Sequence, residues 1–304
     1  MPSPDLDGAM RRLGPAMGVR DFRRWFCASL GMSTALQMLE VIIGWSVYSH
    51  QHSALDLGWI GLAEFLPLFV LALPAGQLAD RFPRRRVLAA ANVLGVGVGL
   101  GLVALTAAGV HAAAPYLAFA VGAGVVMAIG QPAARAMPPT LVPRELIPSA
   151  MTLRSFAAQG AQVIGPAVGG IVYGFSPPLV YGLAALSCAL AALAALSIGP
   201  GIAPAAAAGA GTAGAGAAGR GAADLRSVLE GLRFVRRTTM ILGAILLDLL
   251  AVLFGGAVAL LPIFAATILH VGATGLGILR AAPAVGALLG AAYLTWRPIM
   301  RHAG

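Results

Sequence analysis

The chain has 304 residues, of which 59% are hydrophobic and 10% charged, with a mean hydropathy of +0.87 and a formal net charge of +9. An ordinary soluble domain is roughly 45–50% apolar and about 25% charged, so this composition excludes a soluble globular class and points to a membrane. Few aromatic residues, and breaks made of Gly and Pro rather than ten-residue alternation, exclude a β-barrel and leave helices as the spanning structure.

Eight apolar stretches of about 20 residues, the length that crosses a bilayer, follow in chain order. They are predicted at 24–49, 57–79, 87–108, 114–135, 147–175, 179–198, 240–269 and 275–296. The expected fold class is an all-α integral membrane protein, a bundle of eight transmembrane helices. Its expected parts are an N-terminal tail (1–23), a six-helix bundle (24–198), a linker (199–239) and two helices of a second bundle (240–304).

The chain has no lysine, so its arginines alone report orientation. They cluster in the tail (Arg11, Arg12, Arg20, Arg23, Arg24), the second loop (Arg81, Arg84, Arg85, Arg86), the fourth (Arg135, Arg144) and the sixth (Arg220, Arg226, Arg233, Arg236, Arg237), and Arg297 and Arg301 follow the last span. The intervening loops hold none. By the positive-inside rule both termini of this multi-pass protein are expected to be cytoplasmic. Topology thus accounts for the net charge. No basic stretch is interleaved with stacking aromatics, so a nucleic-acid partner is not expected.

Residues 200–223 are almost wholly Ala, Gly and Pro and read as a tether. Beyond it, Leu225, Val228, Leu229 and Leu232 recur at helical spacing with arginines on other faces. That segment is either an amphipathic helix on the cytoplasmic leaflet or the first turns of the seventh span. Across the tether, Gly61-Leu-Ala-Glu64-Phe-Leu-Pro67 aligns with Gly277-Ile-Leu-Arg280-Ala-Ala-Pro283, as a parallel repeat would. Cys27 and Cys188, both inside predicted spans, read as small packing residues.

Two loops carry a family resemblance. Gly76-x-Leu78-Ala79-Asp80-Arg81-x-x-Arg84-Arg85-Arg86 resembles the signature between helices two and three of the major facilitator superfamily, with Pro83 where glycine is usual. Gln131-Pro-Ala-Ala-Arg135-Ala-Met-Pro-Pro139-Thr-Leu141-Val-Pro-Arg144-Glu145 is similar to the fourth loop of its transmembrane-secretion-effector branch, which includes enterobactin exporters. The resemblance implies a major-facilitator-type helical bundle. It also implies that Gly76, Asp80, Arg81, Arg84, Arg85 and Arg86 form a cytoplasmic latch, in which the aspartate faces helix eleven. Within this chain Arg84 to Arg86 are available to neutralise Asp80, an anion ill-placed at a helix C-terminus.

In span five, Gly165, Pro166, Gly169 and Gly170 have small-residue spacing that admits a close neighbouring helix, and Pro166 removes a backbone donor. The same Gly-Pro-x-x-Gly-Gly run resembles the antiporter motif of exporters in the superfamily, which implies export rather than uptake.

A carboxylate near the bilayer centre costs about 2.5–3.5 kcal/mol on insertion scales, so one retained there faces a cavity, pairs, or binds protons. Glu40, Glu64 and Asp248 qualify. The resemblance places spans one and seven on a central cavity and so singles out Glu40 and Asp248 as a relay or substrate-contact pair. Two intramembrane bases accompany them. Arg154 is expected to snorkel to the headgroups, and Arg280 either answers an anionic substrate group or pairs with an acid.

No enzyme chemistry is expected. The histidines lack metal-ligand spacing on one helix, Gly95-x-Gly97-x-Gly99-x-Gly101 lies inside an apolar span rather than after a strand, and no Walker sequence is present. Neither metal nor cofactor is therefore expected. With the resemblance, the expected protein is a secondary exporter of the cell inner membrane for a drug, siderophore or other secreted metabolite, whose partners are the lipid bilayer, the small-molecule substrate and a proton or other ion gradient. Because the resembled family has twelve spans, a missing C-terminal portion or second chain is also expected, and the competing reading is a truncated, non-transporting fragment or partner subunit.

Overall fold

The computed structural model describes residues 14–199 and 260–296, and between them 233, 235, 236, 242, 243, 245–247, 250 and 258. At 73, 77, 79, 80, 291, 292 and 294–296 it describes the backbone alone. The tether, most of the amphipathic segment, Asp248, Arg297 and Arg301 lie outside the described residues, as does the side chain of Asp80. The chain divides into two units, one made of Met1–Ala203 with Leu261–Gly304 and the other of Pro204–Leu260. In the second, the described positions from 233 to 250 are helical.

The first unit contains seven long helices among its described residues. They are α1 (Arg20–Gln51), α2 (Ala54–Arg81), α3 (Arg84–Ala107), α4 (Ala113–Ala136), α5 (Ile147–Phe175), α6 (Pro177–Leu196) and α7 (Gly272–Trp296), the last being the eighth predicted span. No strand occurs among the described residues. Local chemistry sets the breaks. His52 at φ 53 ends α1, the Ser53 hydroxyl accepts from the Asp56 N–H at 3.3 Å to start α2, and prolines occupy the first turns of α5 and α6. Of the seventh predicted span, the described end is Leu261–Ile263 followed by a π turn, Phe264–Ile268.

Of the eight predicted spans, the seventh lies largely outside the described residues, and six helices among the described residues are long and apolar enough to cross a membrane: α1, α3, α4 and α6 over their full lengths, α2 through Ala72, and α7 through Gly290. The fifth predicted span, α5, is fully helical at 29 residues but is not among the six. Gln159, Gln162 and its many glycines lower its hydropathy, and its polar face turns inward.

Packing pairs α3 with α6, α2 with α4, α5 with α7, and α1 with both α5 and α6. Glycines permit the closest approaches. A Cβ at Gly99 would fall 2.8 Å from that of Ala185, and one at Gly95 2.8 Å from the Cys188 sulfur, so these two of the four alternating glycines pack α3 against α6, while Gly101 meets Phe119 of α4. Gly97, on the other side, meets nothing within 4 Å. Buried Cys188 belongs to that interface, whereas Cys27 is exposed and is not the packing residue expected.

Two hydrophobic clusters fill the interior. One gathers Phe22, Trp25, Met32, Leu88 and Leu141 near the arginine-bearing ends of the helices. The other gathers Ile42, Ile43, Leu102, Tyr181 and Leu276 toward the opposite ends. Outside, Leu186, Leu190 and Leu193 of α6 are more than half exposed, as expected of side chains whose solvent is lipid.

Candidate functional site

A cavity of about 750 Å³ opens between α1, α2, α4 and α5. Its α1 wall is a polar stripe in which Trp25, Ser29, Ser33 and Gln37 recur every fourth residue, one above another on a helix face, with Glu40 one turn further on. Opposite stand Glu64 and Phe65 of α2, Met127 and Gln131 of α4, and Arg154 and Gln162 of α5. From Glu40 and Glu64 the cavity runs toward the arginine-bearing helix ends, where Arg135 is exposed.

Glu40 is engaged from outside this ring of helices. Arg280 of α7 donates from Nη2 to its Oε1, forming an ion pair between residues 240 apart in sequence. Of the two outcomes open to Arg280, a substrate anion or an acid on a neighbouring helix, the structure shows the acid. Glu64 is treated differently. Its Oε1 is buried and makes no hydrogen bond to a described residue, although Glu40 and Arg280 both lie within electrostatic reach. Three of the four proposed coupling residues thus converge, and the fourth, Asp248, lies outside the described residues.

Arg154, expected to reach toward the headgroups, lines the cavity wall, and its Nε is buried without a hydrogen-bond partner among the described residues. The rotation of α5 explains this. Gly165 and Gly169 face α1, where a Cβ on Gly165 would meet the Gln37 Cβ at 2.6 Å and the Thr34 carbonyl at 2.9 Å. With that face fixed, the residues three turns earlier point into the space between α1 and α4.

The other half of the Gly-Pro-x-x-Gly-Gly run meets α7. A Cβ on Gly170 would lie 2.5 Å from the Ala273 carbonyl oxygen, and one on Gly277 would collide with the carbonyl of Pro166. Thr274 Oγ1 donates to the Gly170 carbonyl at 3.3 Å. Gly165, Pro166, Gly169 and Gly170 therefore mark the crossing where α5 is held between α1 and α7, which is also what brings Arg280 to Glu40.

In the arginine-rich loop, Arg84 Nη1 donates to the Ala136 carbonyl and Arg85 Nη1 to the Ile198 carbonyl, each at 2.8 Å. These are the terminal carbonyls of α4 and the segment after α6, where a cation is favoured by the helix dipole. Arg81 and Arg86 are exposed, and Gly76 meets nothing within 4 Å. At the arginine-free ends, Ser46 donates to Tyr173 at 3.2 Å and shares a 2.7 Å hydrogen bond with Tyr181, joining α1, α5 and α6. His50 stacks on His111, and no group of three or more potential metal ligands occurs among the described residues.

The reading of the sequence missed the α1 stripe and Gln131, Arg154 and Gln162 as cavity residues. A signal was present, since Trp25, Ser29, Ser33 and Gln37 are polar or amphipathic residues at strict four-residue spacing in an otherwise apolar run.

Comparison with known proteins shows the family to which the chain belongs. Residues 15–302 match the family described as transmembrane secretion effector. The chain is 29% identical over 273 residues to the enterobactin exporters EntS of Citrobacter koseri, Shigella boydii and Escherichia coli O1:K1. In each case the match covers 89% of this chain and 62% of the relative. The chain therefore spans less than two thirds of the length of these curated relatives.

Proposed function

Because the chain belongs to the transmembrane secretion effector family of the major facilitator superfamily, we propose that it works, within the whole protein, as a proton-coupled exporter of a small secreted metabolite or drug by alternating access. Its arginine-bearing side faces the cytoplasm and its host is the cell inner membrane. The cargo is a compound of the size and polarity of a siderophore, in keeping with relatives named for enterobactin export.

The observation that carries this reading is the Glu40–Arg280 ion pair beside a polar cavity that also holds Glu64, whose buried Oε1 has no hydrogen-bond partner among the described residues. Glu40 belongs to the first predicted bundle and Arg280 to the second. Rocking of one bundle against the other requires this pair to break. Once cargo has left on the far side, a proton taken up there by the Glu40 carboxylate weakens its attraction to Arg280 while the cavity swings back. With the cavity again open to the arginine-bearing side, that proton leaves to the cytoplasm and the pair re-forms. Glu64, with Asp248 as a further candidate, supplies a second acid that cargo or proton can occupy.

The test is accumulation of labelled enterobactin and of a fluorescent drug in everted vesicles carrying the protein. Energised vesicles should accumulate one of them, a protonophore should abolish it, and E40Q should do the same. Accumulation indifferent to the protonophore defeats proton coupling, and none in energised vesicles defeats export of these cargoes.

A further inference from the structure

Two polar groups on the cavity wall are buried and unbonded, Glu64 Oε1 and Arg154 Nε, and they differ in what they can do about it. A carboxyl group can take a proton and become neutral. A guanidinium stays charged at any pH a protein survives, so its remedy is an acceptor: water, an anion, or a neutral oxygen such as the carbonyls that Arg84 and Arg85 use, and no described residue supplies one to the Arg154 Nε. The acids already in the cavity do not answer Arg154. Glu40 is taken by Arg280, and the cation within reach of Glu64 is Arg280 as well. No acid pairs with Arg154 among the described residues.

The surroundings specify the rest of the ligand. Arg135 stands at the arginine-bearing end of the same cavity, so an anion moving inward passes one guanidinium before reaching the other. Trp25, Phe65 and Met127 offer apolar and aromatic surface, and Ser29, Ser33 and Gln162 offer neutral hydrogen bonds. Resting on the export reading above, we propose that Arg154 is the specificity-determining residue of the cavity, and that its cargo is an amphipathic organic anion whose acid group docks on the Arg154 guanidinium.

An acidic lipid headgroup has the same chemistry, and the test separates the two sources. Dansylglycine, its neutral amide and the cationic dansylethylenediamine share one fluorophore and differ in charge. Each is titrated by fluorescence into the full chain in phosphatidylcholine nanodiscs. Dansylglycine should bind about tenfold more tightly than the amide, as expected of one charge-assisted contact, and the cation most weakly. R154Q should erase that preference while amide affinity stays within about twofold, which also reports an intact cavity. Should R154Q lose every probe, R154K decides. A preference reduced severalfold supports the assignment, because a point charge replaces the planar fork, and an undiminished one overturns it. Preference retained in R154Q, absent from the unmodified protein, or no binding of any probe also overturns it. Loss of dansylglycine binding when phosphatidylglycerol is added to the discs assigns the anion to lipid and overturns the cargo assignment. The export reading fails separately, if the Arg154-dependent preference stands but energised vesicles accumulate nothing.

Discussion

Arg280 reaches across from α7 to Glu40 on α1, closing an ion pair over 240 residues of sequence. The arginine side chain is 20% exposed and the glutamate 37%, so the pair is neither fully desolvated nor freely solvated. Removing one partner of a buried pair costs about 3–5 kcal/mol, and solvent reduces that here to about 1–2 kcal/mol. R280A should lower stability in chemical denaturation by that amount and reduce transport at least about tenfold. The E40Q/R280Q double variant should recover most of the stability without recovering transport. Stability restored together with transport would show that the pair is only structural.

The crossing of α5 and α7 makes a sharper prediction about glycine. At Gly277 a methyl group would enter the Pro166 carbonyl, and the obstacle is backbone that cannot rotate away. G277A should cost about 1–3 kcal/mol by overpacking. G286A and G290A, on the same helix but with nothing within 4 Å, should be neutral or stabilising by a few tenths to about 1 kcal/mol. Comparing thermal unfolding of the three variants checks the contrast.

Ser46 holds two tyrosines, and the consequences of deletion are unequal. In Y181F the serine keeps Tyr173, so the cost is about 1 kcal/mol for one hydrogen bond. In S46A both phenols lose their partner and Tyr181 is fully buried, so the cost rises to about 2–3 kcal/mol. Unfolding free energies with S46A no worse than Y181F would contradict the network.

The helix-end contacts of Arg84 and Arg85 are open to the same treatment. R84Q and R85Q should each destabilise by about 0.5–1.5 kcal/mol, with the loss smaller at high salt because the interaction is electrostatic. Salt-insensitive losses would point to side-chain packing instead.

How much was legible in the sequence differs between fold and site. Hydropathy and arginine spacing locate helix ends within a few residues, because lipid imposes length and polarity residue by residue. The same logic misjudges α5. Its glycines and glutamines make it less apolar than a span, yet they are what turn a polar face to the cavity and seat it against α1 and α7. Depth alone sends Arg154 to the headgroups, whereas rotation, set three turns later by Gly165 and Gly169, aims it inward. Pairing Glu40 with Arg280 needs the α1, α5 and α7 contacts at once, and no local pattern encodes them. The echo across the tether aligns Glu64 with Arg280, two residues that both lie within electrostatic reach of Glu40.

Arg84 and Arg85 are neighbours in the first turn of α3, yet they grip the ends of two different helices, α4 and the segment after α6. Three helix termini are thereby tied at one knot on the arginine-bearing face. Displacement of any one of them along the membrane normal would pull on the other two. The knot makes a set of individually slippery apolar rods keep step at that face of the membrane.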